Sequence, residues 1–128
     1  MNEHWRPYRE GDVEFVAPEG MARAEGTLDS PTSEYTGPGM TITFDRGPYA
    51  DPLTRYGSRP GYEEWTGLAG DRPARIVTFE ADDGSRVVAA RLEDPDRAAG
   101  RALTAVVYLS PEIDVERGRR IVDSLRLK

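Results

Sequence analysis

Cysteine is absent, lysine and histidine occur once each, and no long stretch of the 128 residues is apolar. Each absence closes a class of chemistry. Without cysteine there is no disulfide, no thiolate nucleophile and no thiolate-held metal. His4 is the single histidine and lies in a polar N-terminal stretch, which leaves nothing from which to build a Ser-His-Asp triad or a multi-histidine metal site. No run reaches the 18 apolar residues that a membrane-spanning helix needs, and Met1 to Tyr8 lacks the apolar core of a signal peptide. As given, the chain reads as soluble and cytoplasmic; a leader upstream of Met1 would make it an exported or lipoprotein domain instead. The phosphate-cradling patterns G-x-x-x-x-G-K and G-x-G-x-x-G are missing. Asp82, Asp83 and Gly84 lack the alternating oxygen ligands and closing glutamate of a calcium loop. No cofactor and no metal is expected.

What is present describes a small folded domain. Apolar residues make up 38% of the chain, enough at this length to bury one core. The 13 glycines and 10 prolines exceed the average and signal many turns and one long loop. The formal net charge is -6, and the field of an acidic protein repels nucleic acid and anionic membranes. Lys128 is the only lysine among 17 cationic residues, so arginine supplies the other 16.

Periodicity places the elements. Residues 1–11 are polar apart from Trp5 and Tyr8 and read as an N-terminal arm, with the domain proper at 12–128. Val13, Phe15 and Ala17 alternate with Asp12, Glu14 and Val16 up to Pro18, which is a short strand. Residues 21–39, rich in Gly, Ser, Thr and Pro, carry no regular pattern. Met40, Ile42 and Phe44 alternate with Thr41 and Thr43, a half-buried strand. From Tyr62 a meander follows: Tyr62–Leu68, Ala74–Ala81, Arg86–Leu92 and Leu103–Leu109, with a hairpin turn at Asp82 to Ser85. Both alternating sets of the last strand are apolar, which predicts a central strand covered on both faces. Val115, Gly118, Ile121, Val122 and Leu125 recur at helical spacing behind Asp114, a fitting N-cap. Gly118 costs a helix interior about 1 kcal/mol relative to Ala, so its place is where the helix comes closest to the sheet. Leu125–Lys128 fits a short last strand. The expected fold is therefore α+β, a mainly antiparallel sheet packed against a C-terminal helix.

Between the two strand regions lies Asp45 to Gly61, interrupted by Pro48, Pro52 and Pro60 and by Gly47, Gly57 and Gly61. Unstructured loops of this length in compact domains tend to serve function. This one interleaves Arg46, Arg55 and Arg59 with Tyr49 and Tyr56, and Trp65 follows closely. Tyr, Trp and Arg are the residue types that concentrate binding energy at interfaces. These six residues are the candidate partner- or ligand-binding set; the structural alternative tucks the tyrosines onto the sheet and pairs the arginines with Asp45, Asp51 or Glu63. No catalytic residue is assigned. Glu63 and Glu64 are adjacent on a strand and point to opposite faces, so they cannot act as a pair.

The order Met40–Phe44, Asp45, Gly47, Pro48, Tyr49, then Gly70, Pro73–Phe79, Asp83-Gly84 and finally Ile121, Val122, Asp123, Ser124, Leu125 resembles the PsbP-like α/β/α sandwich superfamily, especially its small bacterial members. Phe15, Val16, Pro18, Gly20 and Met21 fit the strand followed by Pro-x-Gly that opens such domains. The resemblance implies an antiparallel sheet flanked by helices, used in accessory, chaperone and partner-binding modules without a catalytic signature. The chain departs from it in lacking a helical pattern between Val13 and Met40. The reading is a non-catalytic accessory or interaction module that binds a protein partner. The alternative is a small-ligand-binding domain or a carboxylate-dependent hydrolase, its site between the sheet and the 45–61 loop, motivated by Asp45 and Glu64 near Arg46 and Arg55.

Overall fold

The computed structural model describes residues 4–10, 13–24, 32–46, 53, 56–70, 72–93 and 102–127. In chain order these form β1 (Trp5–Glu10), β2 (Val13–Pro18), β3 (Ala22–Arg23), β4 (Thr32–Gly37), β5 (Met40–Arg46), β6 (Glu63–Ala69), β7 (Arg72–Glu80), β8 (Arg86–Glu93), β9 (Ala102–Leu109), α1 (Val115–Asp123) and β10 (Arg126–Leu127). The architecture is α+β, dominated by antiparallel sheet, with one helix near the C-terminus among the described residues.

Seven strands form one sheet in the order β3-β4-β5-β9-β8-β7-β6, every neighbour antiparallel. Strands β6 to β9 are the expected meander, and β9 then lies beside β5. A second sheet, β1-β2-β10, is also antiparallel. The first eleven residues, expected as an arm, thus supply a full strand, paired from Trp5 opposite Pro18 to Glu10 opposite Val13. The stretch 21–39, which shows no pattern in sequence, likewise supplies β3 and β4. Strand β4 pairs with β5 along its length, Thr32 opposite Asp45 through Gly37 opposite Met40. Only Tyr35 of its described side chains is buried, so the apolar alternation that would betray it is missing.

The main core lies on the inner face of the large sheet. Met40, Ile42 and Phe44 of β5, Leu103, Ala105, Val107 and Leu109 of β9, Val88, Ala90 and Leu92 of β8, and Ala74 and Ile76 of β7 meet Val13, Phe15 and Ala17 of β2 and Ile121, Val122 and Leu125 from the helical end. Asp114 caps α1 as expected, its carboxylate accepting from the Glu116 amide at 3.0 Å. Gly118 is buried against the sheet. The outer face carries a smaller cluster, Val77, Val87 and Ala89 under Leu53, with Tyr56, Tyr62, Phe79 and Val106 around it. The cover over β9 is incomplete there. Thr104 is buried, yet Tyr108 is 41% exposed, which corrects the expectation of a strand enclosed on both faces.

Helix α1 lies between the two sheets' aromatic edges. Consecutive arginines reach opposite ways: the Arg120 guanidinium lies 4.1 Å from the ring centre of Trp5 on β1, and that of Arg119 lies 5.1 Å from Trp65 on β6. No helix of the described residues is long and apolar enough to cross a membrane.

Candidate functional site

Of the six residues singled out from sequence, the four that the structure describes do not gather into one patch. Tyr49 and Arg55 lie outside the described residues. Arg46 continues the inward-facing series Met40, Ile42, Phe44 and turns to the second sheet, where its Nη2 donates to the Glu10 carbonyl oxygen at 3.0 Å. Tyr56 lies on the outer face, stacked on Phe79 with ring centres 4.5 Å apart. Arg59 pairs with Asp82 of the β7–β8 turn. Trp65 faces inward, half-buried, under Arg119. Glu10 is thus a partner of Arg46 and Asp82 a partner of Arg59, while Asp51 lies outside the described residues.

The proposed carboxylate pair is also separated. Asp45 is opposite Thr104 on β9, and Glu64 is opposite Val77 on β7. Four strand steps divide β5 from β6, roughly 19 Å at the usual strand spacing, too far for two carboxylates to share a proton or a water. Glu64 is engaged by Arg75 Nη2 at 2.6 Å and by the Tyr62 hydroxyl. Among the described residues no three acidic or histidine side chains converge to hold a metal ion.

Glu10 anchors the strongest polar cluster. Its carboxylate accepts from Arg23 Nε at 2.7 Å, Arg23 Nη2 at 3.1 Å and the Tyr35 hydroxyl at 2.7 Å. The Arg23 hydrogen bonds hold Glu10 below the usual carboxylate range against the opposing cost of burial. Tyr35 is pushed up to about 12, first by burial and then by its bond to Glu10. The cluster ties β1 to β3, β4 and β5, and so joins the two sheets.

A surface that is built but unfilled lies at the other end of the large sheet. Strand β6 is the last in the sheet, and among the described residues nothing pairs with its outer side. The opposite margin is blunted by the two-residue β3 and by the Ala24 amide on Glu34 O at 2.8 Å. Exposed edges invite strand addition unless charge or shape prevents it. Glu63 and Glu64 guard one half of β6, but Trp65, Thr66, Gly67, Leu68 and Ala69 carry no charge. Leu68 is 58% exposed. Beside this half runs a groove of about 150 Å³ lined by Trp65, Leu68, Ile76, Val88 and Val122, with Arg119 and Asp123 as its charged residues. Ala69 pairs with Arg72 across a two-residue reversal. Such hairpins close on a hydrogen-bonded pair, and alternation then turns the N–H and C=O of Glu64, Thr66 and Leu68 away from β7.

Sequence reasoning found Trp65 but missed Gly67, Leu68 and Arg119. The available signal was the meander itself, since the first of four hairpin-linked strands sits at a margin unless a later strand returns to it.

The fold is that of an α+β protein built on a seven-stranded antiparallel sheet. No protein-family profile matches the chain, and no curated protein does. It is similar to a protein of Bacteroides thetaiotaomicron VPI-5482 at a TM-score of 0.53 and 8% identity, over 91% of this chain. The match spans 45% of that longer chain, and at such identity it speaks for the fold alone.

Proposed function

We propose that this chain is a non-catalytic accessory or interaction module, of PsbP-like kind, that binds a protein partner by adding a strand to the outer side of β6. One observation carries the reading: among the described residues nothing pairs with the uncharged half of β6, which lies beside the groove under α1, so main-chain bonds and a side-chain seat are offered together. Strand addition uses that combination, the ladder for affinity and the pocket for choice. The antiparallel sheet with its C-terminal helix is compatible with the PsbP-like resemblance. This reading uses the β6 edge; of the 45–61 loop, Tyr56 is engaged with Phe79 and Arg59 with Asp82.

The test compares tagged wild-type protein with Thr66→Pro, which removes an outward N–H and leaves the β6–β7 bonds in place. A partner captured by the wild type, retained by Arg59→Ala and lost on Thr66→Pro supports the reading. Equal capture by all three sinks it.

A second reading, a small-anion site on the outer face, is favoured by Arg75. Its Nε is buried with no hydrogen-bond partner among the described residues, and Arg91 stands directly opposite in register. A rise in melting temperature with millimolar phosphate, lost on Arg75→Gln, supports it, because a ligand that binds only the folded state stabilises it; no shift removes it.

A further inference from the structure

We infer that the partner on the β6 edge is a second copy of this chain, its own β6 adding antiparallel about a two-fold axis through Thr66. This rests on the strand-addition reading and names its partner. A two-fold pairing demands a self-complementary strand, and β6 is one in three respects.

The first respect is charge. The N-terminal end of β6 is acidic: Glu63, Glu64 and Glu80 are all exposed, Glu64 alone of them being paired with Arg75 in the contacts above, and Glu80 lies within 3.9 Å of the place a Gly61 Cβ would occupy. Its C-terminal end is basic: Arg72 is the cross-strand neighbour of Ala69, and the Arg126 guanidinium stands 3.0 Å from the place of a Gly70 Cβ. Antiparallel pairing sets the acidic end of each copy against the basic end of the other, twice. Parallel pairing would set Glu63 and Glu64 against themselves, and like charges directly opposite are destabilising.

Side-chain size is the second. With Thr66 on the axis, Glu63 falls opposite Ala69, Glu64 opposite Leu68 and Trp65 opposite Gly67 of the second copy. The largest side chain of the strand therefore meets the one residue without any. The Trp65 ring already leans that way, with Cδ1 and Nε1 both 3.4 Å from the place of its own Gly67 Cβ, so the two indoles come side by side across the axis. Thr66 faces Thr66, a favoured cross-strand pair.

The third is hydrogen bonding. The outward groups belong to Glu64, Thr66 and Leu68, and in this register Glu64 meets Leu68 and Thr66 meets itself. All three crossings are thus hydrogen-bonded pairs, while Trp65 and Gly67 occupy the non-bonded pairs where side chains approach more closely.

Sedimentation equilibrium from about 1 to 100 µM tests this, a range that resolves micromolar association. The wild type is expected to shift to twice the chain mass within that range. Thr66→Pro and Gly67→Leu should each raise the dissociation constant at least about tenfold. Glu63→Arg should weaken association, and adding Arg72→Glu to it should restore association. Urea unfolding of each variant establishes that the monomer is intact. A wild type that stays monomeric throughout, or a dimer indifferent to these substitutions, overturns the inference. If the monomeric wild type captures a different protein and Thr66→Pro loses it, the second copy is overturned and strand addition stands. If neither dimer nor capture depends on Thr66, both fall.

Discussion

Glu10 accepts both Arg23 Nε, at 2.7 Å, and Arg23 Nη2, at 3.1 Å, a two-point grip of guanidinium on carboxylate that joins the last residue of β1 to the short margin strand β3. Tyr35 and Arg46 add to it from β4 and β5. Four separate strands therefore depend on one ionised group. Arg23 is well exposed, so water screens part of its attraction. The neutral Tyr35 hydroxyl and the half-buried Arg46 are less affected.

Acid should undo this lock. A carboxyl whose folded-state pKa is depressed contributes stability that is present above its unfolded value, near 4.5, and lost as pH falls through the folded value. Urea unfolding followed downward from pH 6 should show stability falling below about pH 4.5 more steeply in the wild type than in Glu10→Gln. At pH 7 that variant should be less stable by about 1 kcal/mol, the worth of charged hydrogen bonds discounted for screening. Equal slopes for the two proteins would mean that the cluster is decorative.

Alkali should act through Tyr35. Its hydroxyl is held protonated up to about 12, whereas an unfolded tyrosine ionises near 10. A raised pKa contributes stability that is complete below the unfolded value and lost as pH rises toward the folded one. Stability should therefore decline between about pH 10 and 12, and Tyr35→Phe should lessen the decline. Absorbance titration of the six tyrosines should show one fewer late-ionising group in that variant.

What was legible in sequence was whatever repeats locally. Met40, Ile42 and Phe44 announce β5 because every second residue meets the core, and Asp114 with Gly118 announces both the start of α1 and its closest approach to the sheet. The lock around Glu10 was not legible: Arg23, Tyr35 and Arg46 stand 13, 25 and 36 residues away along the chain, and no periodicity links them. Strand β1 was hidden because none of its residues is fully buried and its half-buried and exposed positions do not alternate regularly. Of the candidate set 46–65, the described members Arg46, Tyr56, Arg59 and Trp65 are neighbours in sequence but not in the fold. Strand alternation sends Arg46 inward with Phe44 and Trp65 inward with Ile76, while Tyr56 settles on the outer face. The edge character of β6 arises from β9 choosing β5 as its other neighbour, a pairing across 57 or more residues that composition does not encode.

The two arginine–tryptophan contacts should be separable by fluorescence. Trp5 and Trp65 are the only tryptophans, and each lies under its own arginine of α1. Arg120→Ala should alter the emission of a Trp65→Phe background, in which Trp5 reports alone, and Arg119→Ala should leave that background unchanged. Both arginines are exposed, so each substitution should cost about 0.5–1 kcal/mol, the value of an exposed cation–π contact. An emission change from Arg119→Ala in the Trp5-only protein would show that the helix holds the two sheets differently.

Gly118 sets how closely α1 approaches the sheet, and two opposing terms decide what alanine would do there. Helix propensity alone favours Gly118→Ala by about 1 kcal/mol. The new methyl would stand 2.9 Å from Val88 Cγ2, 3.1 Å from Leu109 Cδ1 and 3.2 Å from Val88 Cβ. Val88 is β-branched and fixed in the central sheet, so it cannot turn aside, and Leu109 is fully buried. Overpacking of this kind costs about 1–3 kcal/mol, which exceeds the propensity gain. Gly118→Ala should thus lower stability by roughly 1 kcal/mol net. In the double variant Gly118→Ala/Val88→Ala the nearest contact, with Val88 Cγ2, is gone while Leu109 Cδ1 and the Cβ of residue 88 stay at 3.1 and 3.2 Å, so the added alanine should cost less in the Val88→Ala protein than in the wild type. If Gly118→Ala stabilises the wild type, the helix rides farther from β8 than these distances place it.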